Sequence, residues 1–206
     1  MNSIFSHARA ALAVLVLLSL GACAPLLDSG PPPTRIQLHP AMPPKAEKSI
    51  NRQLTVAMPQ AERDIDSDGI ALLFNGREVR YLSGVRWTSR APRMVQRDIV
   101  EALTYSEGLH GVADEASGIS ADVRLEVYIR QFCLRYDVQD APPTAWFSAS
   151  FKLIDQRNGR LLGSKVVETT APASGTDTLS LVVACEDAFG RALAELTDWV
   201  LVSMKK

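Results

Sequence analysis

Two runs of strict alternation constrain this chain more than any other feature. Val123, Leu125, Val127 and Ile129 are separated by Arg124, Glu126, Tyr128 and Arg130, and Phe147, Ala149, Phe151 and Leu153 repeat the pattern further on. Successive strand side chains point to opposite faces, so each run demands a sheet with one buried face. A buried sheet face needs a cover. The last stretch supplies one, because Leu181, Cys185, Ala188, Ala192, Leu196 and Trp199 or Val200 keep helical spacing throughout.

The remaining pattern completes the layer. Arg35–Leu38 alternates as a short edge strand, and Leu54, Val56 and Met58 suggest a strand that ends at Pro59. Ile70–Phe74 is an apolar run closed by Asn75-Gly76, a strong hairpin signal, with Val79, Tyr81 and Ser83 returning. Leu161–Val167 follows the turn at Asn158-Gly159. Thr88 or Ser89 can cap a helix carrying Pro92 in its first turn, whose apolar face is Val95, Ile99, Ala102 and Leu103, with Gly108 as its stop. The pattern predicts an α+β fold: a two-layer sandwich with a mostly antiparallel sheet of about six or seven strands and two main helices on one face.

Ahead of this pattern lies a leader. Arg9 precedes the unbroken apolar run Ala10–Leu18, far short of the about 20 residues a membrane-spanning helix needs. Leu20-Gly21-Ala22-Cys23 follows and is similar to a bacterial lipobox, in which small residues admit the peptidase before a Cys that becomes acylated. The expected organisation is a signal peptide over residues 1–22, a lipidated Cys23 and Pro-rich tether over residues 23–34, and a single periplasmic domain over residues 35–206. Each buried methylene contributes about 0.8 kcal/mol, so two or three acyl chains would hold the protein to a membrane. Ala24 stands where an Asp would retain a lipoprotein in the inner membrane by the enterobacterial sorting rule. That analogy favours the outer membrane, with the domain facing the periplasm.

Composition narrows the function classes. At 47% hydrophobic and 22% charged residues, the 206-residue chain suits a globular domain. A net charge of −1 argues against nucleic acid as a partner. Three Cys and three His leave little material for a metal cluster, and neither metal nor cofactor is expected. Asp64-Ile65-Asp66-Ser67-Asp68-Gly69 looks like the first half of a calcium loop, but the twelfth position is Asn75 rather than Glu and the eighth is Ala71. It reads instead as an acidic turn before a strand. In the mature chain only His39 and His110 could serve as a histidine base, both in expected loops, and no nucleophile elbow or HExxH is present. Glu186 and Asp187 read as a solvated helix face. No catalytic residue is assigned, and no enzymatic activity is expected. Trp87 reads as packing at the helix entry, with a partner anchor as the alternative.

Cys133 and Cys185 remain once Cys23 is lipidated. In an oxidising compartment they could pair, one late in a strand and the other on the apolar face of the last helix, and a disulfide is expected. The alternative is two buried thiols acting as small hydrophobes.

The stretch Tyr81–Gln96, with Tyr81, Arg86-Trp87, Pro92 and Val95-Gln96, resembles the signature of ABC-type transport auxiliary lipoproteins of the PqiC/YmbA type. Asp66–Ile70 is similar to that family's acidic turn, and Leu125–Phe132 and the closing helix to Trp199 match in order, so the resemblance spans about residues 36–202. It implies an auxiliary component of an MCE-type ABC system. The implied partner is an MCE-domain protein and the implied cargo phospholipid or another hydrophobic molecule, with homo-oligomerisation left open. The runner-up is a structural or assembly lipoprotein of an outer-membrane complex. The family carries no catalytic residues to this chain.

Overall fold

A computed structural model describes residues 31–137 and 141–205. Among the described residues nine strands form one mixed sheet: β1 (Thr34–Ile36), β2 (Ile50–Val56), β3 (Gln60–Ala61), β4 (Gly69–Phe74), β5 (Glu78–Trp87), β6 (Leu109–Asp114), β7 (Val123–Tyr136), β8 (Thr144–Asp155) and β9 (Leu161–Pro172). Helix α1 (Ala91–Tyr105) joins β5 to β6, and α2 (Thr178–Met204) closes the chain. The α+β class and the two covering helices are as expected. The sequence reading missed β3, two residues long, and β6, whose Leu-His-Gly-Val-Ala-Asp run does not alternate cleanly.

The sheet is organised around β7. On one side β7 pairs antiparallel along its whole length with β8, which pairs antiparallel with β9. On the other side three strands meet β7 in succession, all parallel: β2 at Val123–Leu125, β3 at Tyr128–Ile129 and β4 at Cys133–Tyr136. The sheet thus splits into a β2–β6 branch and a β4–β5–β1 branch. The long ladders are antiparallel, and the parallel pairs are confined to these branch points and to β1 and β6. Period-two patterning reports burial, not strand direction, which is why the parallel pairs were not visible in it.

Both helices cover one face. Phe132 of β7 is the centre of the core, its ring 6.0 Å from Trp87, 5.7 Å from Phe147 and 5.7 Å from Phe189 of α2. This cluster joins β5, β7, β8 and α2 through aromatic contacts. The segment between β1 and β2 also belongs to the core: Leu38, Pro40 and Pro43 are buried. It crosses α2 where the helix carries Gly190. A Cβ there would lie 3.0 Å from the Ala41 nitrogen, so any other residue would crowd the crossing backbone. The crossing is fixed by the His39 amide, which donates to the Glu186 carboxylate at 2.8 Å, and by the Ala46 amide, which donates to the Ser106 carbonyl at 2.7 Å.

Candidate functional site

The residues that carry the family-like signature gather at one corner, where β1, the acidic turn, β5 and the start of α1 meet. The turn presents carbonyls and carboxylates, and its neighbours present donors. The Tyr81 hydroxyl donates to the Asp64 carbonyl at 2.9 Å. The Trp87 amide donates to the Asp68 carbonyl at 2.7 Å, and the Ala91 amide to the Ser67 carbonyl at 2.9 Å. Arg90 donates to the Asp66 carbonyl and pairs with its carboxylate at 2.7 Å. Asp68 faces Arg35 at 3.4 Å and Arg86 at 3.5 Å.

This arrangement accounts for the calcium-like spacing. Alternate aspartates in a tight turn suit a cation, and here the cations facing Asp66 and Asp68 are guanidinium groups. It also changes the expected helix start. Neither Thr88 nor Ser89 caps α1: the N-cap is Arg90, whose side chain makes no capping bond. The Ser67 carbonyl takes the first free amide instead, a capping role performed by backbone from a distant turn. Pro92, in the first turn of α1, has no amide hydrogen to satisfy, and the Arg93 amide donates to the Arg90 carbonyl at 3.1 Å.

Each signature residue therefore has a packing role. Trp87 is 2% exposed and stacks on Phe132, the packing function expected of it. Val95 is fully buried, and the Gln96 amide nitrogen donates to the Val56 carbonyl at 3.0 Å, tying α1 to the end of β2. The other α1 boundary also differs from expectation. The helix stops at Tyr105, before Gly108, and the left-handed residue is Glu107 at φ 54°. The Ser106 hydroxyl donates to the Leu103 carbonyl at 2.7 Å and closes that end.

Cys133 and Cys185, the pair expected to form a bridge, are both buried free thiols in this structure. The cause is a bulge in β7 between Ile129 and Gln131. Before it, odd-numbered residues face the helices; after it, Phe132 and Leu134 do. A bulge inserts one residue and inverts the alternation beyond it. Cys133, opposite Trp146 on β8, therefore points to the face away from α2, whereas Cys185 lies in the core beneath the helix. Burial pushes the Cys133 thiol up to about 11 and the Cys185 thiol up to about 12. Such thiols are poor nucleophiles at neutral pH.

The other sequence candidates are dispersed. His39 lies on the segment that crosses α2 and His110 on β6, a strand rather than the expected loop; both are exposed. The Glu186 carboxylate holds the His39 amide. Cys23 lies outside the described residues. Among the described residues no three His, Cys, Asp or Glu side chains gather as a metal site.

Open depressions mark the surface; one of about 160 Å³ is lined by Gln53, Leu54, His110, Val112 and Ile119 among others, and three are larger. One of about 260 Å³, on the uncovered sheet face, is lined by Met58, Gln60, Arg124, Glu126, Tyr128 and Lys152 among others. A second, about 360 Å³, lies beside α1 with Ser89, Arg93, Arg97 and Val100. The third, about 490 Å³ and shallow, is formed by Glu62, Arg63, Asp64, Val79 and Tyr81 beside the signature corner. Sequence reasoning missed Val79 as a surface feature, since a Val on a strand reads as core.

Comparison with known proteins agrees with this architecture. The family described as the ABC-type transport auxiliary lipoprotein component matches residues 37–197. A crystal structure of a Xanthomonas campestris protein superposes with a TM-score of 0.77 at 27% identity, covering 84% of this chain and 97% of that one. A hypothetical protein of Chlamydia trachomatis shares the fold alone, with a TM-score of 0.52 at 9% identity over 75% of this chain and 98% of that one. An uncharacterized protein of Bradyrhizobium diazoefficiens is 24% identical over 118 residues, which are 57% of this chain. The match spans 31% of that relative's length.

Proposed function

The chain belongs to the ABC-type transport auxiliary lipoprotein family, and on that premise we propose that it is the membrane-anchored docking component of an MCE-type ABC transport system. In this reading residues 1–22 are removed as a signal peptide, Cys23 carries the acyl chains, residues 23–34 form the tether and residues 35–206 the periplasmic domain. The outer membrane is the anchoring site. The partner is the MCE-domain protein, and the cargo that passes is phospholipid or another hydrophobic molecule.

The observation that carries the proposal is the use made of the polar residues at the signature corner. Tyr81, Arg86, Arg90, Asp66 and Asp68 are engaged with one another or with backbone rather than directed into a cavity. The depressions are open: charged and polar side chains line three of them beside apolar ones, and the fourth, about 160 Å³ with Leu54, Val112 and Ile119, is too small to enclose acyl chains. Such surfaces suit contact with a protein, whereas a carrier of acyl chains needs an enclosed apolar chamber. Attachment also limits range. Eleven extended residues from Ala24 to Thr34 reach at most about 35 Å at ~3.1 Å per residue. The partner therefore comes to the domain.

The test is complementation. A strain lacking the gene is given the full-length chain or Cys23→Ser, and membrane fractionation, co-purification with the MCE-domain protein and resistance to detergent are measured. The wild-type chain should restore all three. Cys23→Ser should leave the membrane fraction and fail to restore resistance. Full rescue by the unanchored variant, or purified lipoprotein carrying stoichiometric phospholipid, would overturn the proposal.

A further inference from the structure

We infer that the segment from Thr34 to Lys48 is a releasable strap, undocking from the domain as a unit, and that the buried Asp98 carboxylate on α1 governs how often it opens. The consequence of opening rests on the anchored reading just proposed. In that reading the strap stands between the tether and the rest of the sheet. Its release would lengthen the link to the membrane by about 45 Å at ~3.1 Å per residue.

The strap bridges the two helices through few polar contacts. At α2 the His39 amide donates to the Glu186 carboxylate, and Ala41 lies against Gly190. Just past α1 the Ala46 amide donates to the Ser106 carbonyl and Lys45 pairs with Glu107. The Lys45 ammonium also stands 5.5 Å from the centre of the Tyr105 ring. Pro40, Pro43 and Pro44 have no amide hydrogen and can donate no backbone bond to the domain. Strand β1 pairs only with Val85, Arg86 and Trp87. Burial of Leu38, Pro40 and Pro43 supplies the rest of the hold. A segment with so few backbone bonds opens ahead of a core strand such as β7.

Asp98 lies where docking of the strap is felt. Tyr105 follows it by two helical turns, so both sit on the flank of α1 that faces the strap. One Asp98 oxygen pairs with Arg97 at 2.6 Å, and the other is buried without a partner. The charged groups acting on it are Arg97 and Glu101 of α1 and His39 of the strap itself. Burial outweighs them and holds the carboxyl up at about 6, against an ordinary 3.8. Release of the strap admits water to Asp98 and returns it toward the ordinary value. Opening therefore sheds a proton between those two values, and rising pH favours it. From pH 5 to 7.5 opening should become about tenfold more frequent. Glu186 and Glu107 also grip the strap, but protonating either would loosen it in acid, the opposite trend.

The experiment follows amide hydrogen exchange of the full-length lipoprotein in detergent micelles, without any partner, from pH 5 to 7.5. Each amide is corrected for its intrinsic rate. The Ile36, His39 and Ala46 amides should share one opening constant, exchange ahead of the β7 amides, and open about tenfold more often at the upper end of this range. Asp98→Asn should flatten that rise. Gly190→Ala, which crowds the strap from the α2 side, should increase opening at every pH and keep the rise. Exchange of Ile36, His39 and Ala46 in step with β7 would overturn the strap, because only global unfolding would then expose it. A rise that persists unchanged in Asp98→Asn would overturn the role of the carboxylate. If the strap opens as described but Cys23→Ser stays in the membrane fraction, the anchored reading falls and the strap stands.

Discussion

Tyr81 lays its ring over the α-carbon of Gly69 so closely that a Cβ at position 69 would fall 2.4 Å from the ring's Cδ1. The contact holds β5 against the acidic turn, and the Tyr81 hydroxyl completes it at the Asp64 carbonyl. Gly69→Ala should therefore destabilise the domain by about 1–3 kcal/mol through overpacking. Tyr81→Phe should cost only about 0.5–1.5 kcal/mol for one hydrogen bond. In Tyr81→Ala the space over position 69 is empty, so the added cost of Gly69→Ala should largely vanish. Urea midpoints of the four proteins check this coupling, and strict additivity would contradict the contact.

Asp98 is 2% exposed on the buried side of α1 and pairs with Arg97 at 2.6 Å, with its second oxygen unpartnered. Burial pushes its carboxyl up to about 6, opposed in part by Arg97; Glu101 adds to the rise, and His39 opposes it weakly. The folded-state value lies above the ordinary 3.8, so this group favours the folded state fully below pH 3.8. The contribution fades as pH rises through about 6. Asp98→Asn should accordingly stabilise the protein by about 2 kcal/mol at pH 7 and by little at pH 4. Melting temperatures of wild type and variant between pH 4 and 8 should converge on the acid side; parallel curves would count against the buried carboxylate.

Much of this fold was legible because its information is local. The alternating runs of β7 and β8, the Asn75-Gly76 turn and the apolar stripe of α2 each declare themselves within a dozen residues. What was hidden depended on distant partners. The cap of α1 comes from the Ser67 carbonyl, so neither Thr88 nor Ser89 was needed for it. The stretch from His39 to Pro43 is proline-rich and polar by composition, yet it packs because Gly190 of α2 gives it room. At the candidate site, the acidic spacing was visible, but the arginines that answer it come from β1, β5 and the α1 cap. No single window of sequence contains them.

The bulge in β7 makes a prediction about the cysteines. Cys133 and Cys185 lie on opposite sides of the sheet, with their thiols raised by burial to about 11 and 12. Native protein purified without reductant should keep both as thiols, slow to alkylate at pH 8. Unfolding in urea without reductant should make both react at once. A mass shift of two hydrogens, or labelling that appears only after reduction, would show a bridge and require a different register beyond Ile129.

Gly190 should tolerate no side chain. A Cβ there meets the Ala41 nitrogen at 3.0 Å and oxygen at 3.3 Å, both backbone atoms that cannot rotate away. Helix propensity alone would make Gly190→Ala stabilising by up to about 1 kcal/mol. The clash should reverse that sign, giving a net loss of about 1–2 kcal/mol and faster amide exchange at Ala41 and Ala46. A stabilised variant would mean that the crossing segment does not lie against α2.

The acidic turn should ignore calcium. Its spacing invites the ion, but Asp68 already faces Arg35 and Arg86, and Asp66 is held by Arg90. Binding would have to separate these pairs and would still lack the Glu that completes such a loop, since Asn75 stands in its place. Millimolar calcium or a chelator should therefore leave the melting temperature unchanged. The pairs themselves are partly exposed, so each contributes at most about 1 kcal/mol, and Asp68→Asn should shift stability only by that amount. Its larger consequence should be positional. Arg35 also donates to the Trp87 carbonyl at 3.3 Å and anchors β1. Releasing Asp68 should accelerate amide exchange in Thr34–Ile36 while leaving β7 and β8 untouched. Uniform acceleration across the sheet would instead show that the corner and the core unfold as one unit.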